Sequence, residues 1–433
     1  MEHLLFWAWL CCGHGTLLAT RFLRGKCILT NLTAYGRNMF LAAVLYFKLR
    51  FESNAWIDAN FQSAILTVST ITNLGAMIVL QNIQATANYP FRINLALVIN
   101  TVIFTLLTGS TVMFTDVSAG AYLFFLLCSV ALTAYACGLI QNGAFAFAAG
   151  FGRPEYTQAL MAGQGVAGVL PPIAQIVSVL WIDDDDASEK AHDGGGSSSI
   201  SAFVYFLTAV GVSLAALVAF QPLKRRHDHI VANRMVEQHM SESVHSIEEA
   251  EQSLRKVTSM QKLFRELHWV ALALFFTFVL TMFYPVFTQK ILSVRDPDTA
   301  PALFQPRAFV PFAFFMWNLG DLSGRASTIL DFKLRHKPLA MFLISLARVG
   351  FLPMYLMCNI GGRGAKVDSD LFYLFAVQFL FGVTNGWMGS STMMNAIESV
   401  DEAEREATGG FMGLCLVAGL TVGSLLSFTA GGI

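Results

Sequence analysis

The chain has 433 residues, of which 55% are hydrophobic and 13% charged, with a mean hydropathy of +0.56. A soluble domain usually carries about 25% charged residues, so membrane lipid is the expected surrounding. A formal charge of -1 lacks the basic excess that nucleic-acid binding needs, and seven Cys without a CxxC pair argue against a disulfide framework or a zinc site.

Taken in chain order, residues 1–37 stand apart. Arg21, Arg24, Lys26 and Arg37 fall where a first membrane helix is expected, and a helix with four cations inserts poorly. From Asn60 onward, runs of about 20 apolar residues recur, enough to cross a hydrocarbon layer roughly 30 Å thick. They are read near 61–84, 92–114, 119–149, 156–181, 200–220, 268–290, 308–330, 338–359, 370–395 and 407–430. That makes ten spans, with an eleventh expected before them. Runs of this length without period-two alternation predict helices. The expected fold is an all-α polytopic membrane bundle, divided into residues 38–220 with six helices and 268–433 with five.

Two hydrophilic stretches interrupt it. Trp181 to Ser199, with four adjacent Asp, reads as a solvated loop. Residues 221–267 read as a charged tether. Lys224, Arg225 and Arg226, together with Lys333, Arg335 and Lys337, place their loops in the cytoplasm by the positive-inside rule. This puts the N-terminus inside and the C-terminus outside or in a lumen, in a plasma or vacuolar membrane.

The stretch MWNLGDLSGRAST, Met316 to Thr328, puts ionised groups near the middle of the 308–330 span. A charge there costs about 2.5–3.5 kcal/mol, so Asp321 requires a partner or a polar cavity. Asn318 lies three residues before Asp321 and Arg325 four after, on one helix face, with Gly320 and Gly324 on an adjacent face suited to close helix approach. The pattern fits a mid-membrane solute site, with an internal ion pair that locks two helices as the alternative. Gln141 and Asn142 sit at similar depth among small residues. Pro285 frees the Thr281 carbonyl and predicts a break in its helix. The glycines and prolines of ALMAGQGVAGVLPP predict packing and a kink, the small residues of 407–430 predict tight packing, and Arg348 is expected to snorkel toward the membrane surface. No HExxH, GxSxG or phosphate-binding loop is present, so an enzyme or a resident cofactor is not expected.

These residues resemble the equilibrative nucleoside transporter family. Its Asn-x-x-Asp-x-x-Gly-Arg pattern is met by Asn318, Asp321, Gly324 and Arg325, its GQGxAG by Gly163 to Gly168, and its SNG-like turn by Thr384, Asn385 and Gly386. EREATGGFMG, LARVGFLP and Gln141 match as well, in order, between about Asn38 and Phe428; WIDANFQSA resembles fungal members. The resemblance implies a major-facilitator-like fold of eleven helices, split six and five, moving purine and pyrimidine nucleosides by alternating access. It further implies Asp321 and Arg325 at the ribose hydroxyls, Gln141 at a nucleobase edge and Asn318 in support. Asn38, Tyr284, Pro285 and Asn385 would line or gate the cavity. Facilitative movement and proton coupling both fit. Another small polar solute, such as a nucleobase or a sugar, and a non-transporting relative are the competing readings. Residues 1–37 depart from the family pattern, and the expectation is a misassigned exon or an altered start, with a divergent anchor as the alternative.

Overall fold

The computed structural model describes residues 44–84, 87–113, 117–181, 196–237, 258–296, 299–330 and 333–427. Residues 1–37, Asn38 and most of the acidic stretch lie outside them. The described chain is helical almost throughout: α1 (Val44–Phe51), α2 (Ala55–Asn82), α3 (Tyr89–Met113), α4 (Ala119–Gly150), α5 (Pro154–Trp181), α6 (Gly196–Glu237), α7 (Met260–Thr281), α8 (Tyr284–Thr288), α9 (Pro306–Ser327), α10 (Pro338–Ala347), α11 (Phe351–Tyr355), α12 (Leu380–Glu398) and α13 (Arg405–Ser427).

Local chemistry sets these ends. The Asn54 side chain accepts from the backbone of Trp56 and Ile57 at the start of α2, and Ser259 accepts from Lys262 N at the start of α7. Pro285 cannot donate to the Thr281 carbonyl, so α7 stops at Thr281 and the chain restarts as α8. Pro353 acts likewise two spans further on, where a 3-10 turn over Arg348–Gly350 separates α10 from α11. A π-helical turn over Phe372–Phe379 runs directly into α12.

Among the described residues, eight helical segments are long and apolar enough to cross a membrane by length and composition. α9 and the segment leading through α12 also have spanning length, but both carry the polar residues that lower their hydropathy. Large apolar side chains face outward, Phe124 at 73% and Val218 at 72% exposure among them, as a bundle bathed in lipid requires. The segment expected as a loop over 221–267 is partly helical. α6 continues through Lys224 and Arg225 to Glu237, and α7 begins at Met260. The stretch after Phe220 is rich in helix formers, so the helix outlasts the apolar run.

α2, α3, α4 and α6 pack on one another, as do α7, α9, α10, α12 and α13, while α5 and α13 bridge the two groups. On the side where α6 ends and α7 begins, here called the loop side, one apolar core joins both groups through residues such as Met77, Phe145, Leu274 and Phe411. On the far side the core is divided. Phe47, Phe104, Tyr122 and Phe206 form one part; Phe287, Phe309, Tyr355 and Tyr373 form the other.

Among the described helices, α9 and α12 approach each other closely. A methyl on Gly320 or Gly324 would strike the carbonyls of Phe379 or Val383, and one on Gly382 or Gly386 those of Trp317 or Asp321. The two helices therefore meet backbone to backbone through glycines on both sides. α13 uses the same device twice. Gly409 and Gly413 lie against Phe145 of α4, and Gly419 and Gly423 against the Phe275 and Val279 carbonyls of α7.

Overpacking costs typically about 1–3 kcal/mol. Gly386→Ala is therefore expected to lower the melting temperature of the detergent-solubilised protein, followed by tryptophan fluorescence. Gly211→Ala on α6, where nothing lies within 4 Å, is expected not to lower it.

Candidate functional site

The polar residues of α9 divide between two neighbours. Asp321 and Arg325 are 4% and 5% exposed and form an ion pair, Arg325 Nε donating to Asp321 Oδ2 at 2.6 Å. The other carboxylate oxygen, Oδ1, accepts from Asn385 Nδ2 on α12 at 2.7 Å. Arg325 also reaches α5, where Nη1 donates to the Met161 carbonyl at 2.8 Å and lies 3.4 Å from Gln164 Oε1. Gly165 leaves room for this, since a side chain there would meet Arg325 Cδ and Leu322.

Behind Asn385 lies a second guanidinium. Arg348 does not snorkel: it is 2% exposed, on the 3-10 turn between α10 and α11. Its Nη1 donates to the Thr277 carbonyl at 2.9 Å, Nε to Thr384 Oγ1 at 3.2 Å and Nη2 to Asn385 Oδ1 at 3.2 Å, while the group lies 4.7 Å from the centre of the Phe381 ring. Partners on two neighbouring helices hold the charge inside, where a lone Arg would have to extend to water. Thr281 Oγ1 lies 2.5 Å from Asn385 Oδ1 and 2.8 Å from the Thr277 carbonyl, at the end of α7. The break at Pro285 thus falls beside the polar cluster.

The structure brings Asp321, Arg325 and Asn385 together. Asn385 is 1% exposed, an internal link between Asp321 and Arg348, and does not line a cavity as expected, because the glycine contact draws α12 onto α9. Asn318 does not support the pair. Its Nδ2 donates to the Phe314 carbonyl of its own helix, and its Oδ1 is seated over Gly168 of α5. Gln141 stands apart on α4, with a buried Oε1 that has no hydrogen-bond partner. Its neighbour Asn142 accepts from Arg92 Nη1 at 2.6 Å and lies 3.4 Å from Gln81, which in turn donates to the Ala407 carbonyl at 3.0 Å. Of that adjacent pair, Asn142 joins helices and Gln141 keeps an open acceptor. Tyr284 stacks on Trp317, with ring centres 3.9 Å apart and planes 4° from parallel, at the head of α8. Pro285 follows it at the first turn.

The ion pair on α9 thus ties α12 and the bridging helix α5 together, between two groups of helices whose far-side cores are divided. A family model described as nucleoside transporter matches residues 127–430. The chain belongs to the nucleoside transporter family. It is 28% identical over 431 residues to the nucleoside transporter FUN26 of Saccharomyces cerevisiae, covering 90% of this chain and 80% of that protein. It is 25% identical over 316 residues to equilibrative nucleoside transporter 1 of Homo sapiens, covering 67% of this chain and 65% of that protein. Among solved structures, the Escherichia coli fucose:proton symporter is similar with a TM-score of 0.55 at 16% identity, covering 95% of this chain and 92% of that one. The proton:xylose symporter gives 0.54 at 13% identity, covering 95% and 87%. Both are of the major facilitator type, and this member of the nucleoside transporter family shares their fold.

Leaving a buried group unsatisfied costs about 1–3 kcal/mol. Asn385→Ala strips a partner from both Asp321 and Arg348, and is expected to lower the melting temperature. Gln164→Ala loses only a 3.4 Å contact and is expected to change it little, in the same fluorescence melt.

Proposed function

We propose that the protein carries purine and pyrimidine nucleosides across a membrane by alternating access, with Asp321 and Arg325 at the ribose and Gln141 at the base. The observation that carries this reading is the buried Asp321–Arg325 pair on α9, which faces the bridging helix α5 inside a nucleoside transporter family bundle. A buried ion pair is a poor stabiliser, since two desolvated charges roughly cancel their attraction. As a solute site it has a purpose: hydroxyl groups can enter the hydrogen-bond set without leaving either charge unpaired.

The cores support the movement. One core joined on the loop side and two on the far side suit a carrier open on the far side, with closure there requiring the two groups to tilt together. By its Lys and Arg content the loop side is cytoplasmic, in a plasma or vacuolar membrane. In the present state Met161 and Gln164 occupy Arg325, and an entering solute would displace the weaker of them, the 3.4 Å Gln164 contact.

The test is uptake of radiolabelled uridine and adenosine into proteoliposomes, with adenine and glucose as competitors. Uridine and adenosine are expected to enter and to compete with each other. Asp321→Asn and Arg325→Ala, shown to be reconstituted, are expected to lower uptake at least about tenfold, the order of a lost hydrogen bond to a charge. Wild-type rates in both variants would overturn the assignment of the site. An imposed pH gradient in the same assay separates facilitative from proton-coupled movement, with acceleration expected only for the latter.

A further inference from the structure

We infer that Arg348 is a positioning residue for solute binding: through Asn385 it fixes the Asp321 carboxylate in the orientation that a ribose diol requires. The inference rests on the nucleoside reading above.

Arg348 is 2% exposed, and the groups that touch its guanidinium are all neutral: the Thr277 carbonyl, the Thr384 hydroxyl, the Asn385 amide oxygen and the face of Phe381, with the Asp321 carboxylate one residue further, beyond Asn385. A purely structural link between these helices is served more cheaply by an uncharged side chain. What the guanidinium adds is an anchor. An amide group presents an oxygen at one end and two N–H donors at the other, and can be turned either way in a similar space. On one side Asn385 meets two donors, Arg348 Nη2 at 3.2 Å and the Thr281 hydroxyl at 2.5 Å. On the other it meets the Asp321 carboxylate at 2.7 Å. Only one orientation satisfies both sides: the carboxylate requires the N–H end, and Arg348 anchors the oxygen end so that the amide is held in place. Without the guanidinium, the amide oxygen keeps only the Thr281 hydroxyl, which can turn its proton to the Thr277 carbonyl 2.8 Å away, and Asn385 loses the anchor that holds its Nδ2 on the carboxylate.

The orientation has a stoichiometric consequence at Asp321. A carboxylate offers about four acceptor sites. Arg325 Nε takes one on Oδ2 and Asn385 Nδ2 takes one on Oδ1, which leaves one on each oxygen. Two acceptors on one rigid carboxylate match the two hydroxyl protons of a 2′,3′-diol. A carboxylate free to rotate would offer the same number of sites without holding them in place, and affinity would fall for the diol in particular.

The test compares uridine with 2′,3′-dideoxyuridine, which keeps the base and lacks both hydroxyls. Wild-type, Arg348→Met and Arg348→Lys proteins are reconstituted, and KM and maximal rate are measured for each solute. Arg348→Met is expected to raise the uridine KM about tenfold while the dideoxyuridine KM stays within about twofold. Arg348→Lys keeps the charge but cannot serve all three acceptors at once, and is expected to raise the uridine KM to an intermediate degree. An equal change for both solutes, or a fall in maximal rate alone, would show a structural role and overturn the inference. Should Arg348→Met not yield folded carrier, the Arg348→Lys ratio of the two KM values decides. Wild-type vesicles that take up neither solute would instead overturn the nucleoside reading, a separate result.

Discussion

A carboxylate in the middle of an apolar bundle must be compensated where it stands, because no water is at hand to solvate it. Much around Asp321 follows from that demand. Its first oxygen is met from α12, which must lie within reach, and so both helices carry glycines where their backbones touch: Gly320 and Gly324 on one, Gly382 and Gly386 on the other. Its second oxygen is met by Arg325, four residues on, whose stem crosses Gly165 to reach the Met161 carbonyl of α5. One ionised group thus dictates small residues on three helices.

Much of this is written in the order of residues. The spans follow from length and hydropathy, the Asp321–Arg325 pair from helical spacing, and the glycine contact from Gly320 and Gly324 on the neighbouring face. The arrest of α7 at Thr281 follows from Pro285. What depends on tertiary partners was not legible. Asn318 shares a stripe with Asp321, but a stripe is wide enough to face two helices, and Asn318 faces Gly168 of α5. Arg348 looked like a side chain bound for the surface because its acceptors, Thr277 and Asn385, lie 71 and 37 residues away in the chain. The cost argument that drew attention to Asp321 applies equally to Arg348, and was the available signal. Helix α6 outlasts its apolar run because hydropathy marks where a helix leaves lipid, not where it stops.

The division of the core gives the site its setting. On the loop side the two groups share buried apolar residues, and polar ties such as Gln81 to the Ala407 carbonyl and Lys262 to Glu404 draw the helix ends together. On the far side each group buries its own aromatics. Asp321 and Arg325 lie between these regimes, on the helix that touches α5, which is where a small change in the angle between the groups has most effect on what can reach them.

α13 presents one pair of glycines to each group, Gly409 and Gly413 to α4 and Gly419 and Gly423 to α7. The helix thus offers glycine to both groups, and such a face brings no rotamers of its own to reorder where it seats. A methyl at Gly409 would strike the Phe145 carbonyl and one at Gly423 the Val279 carbonyl, so bulk added on either face would wedge the last helix away from one group or the other.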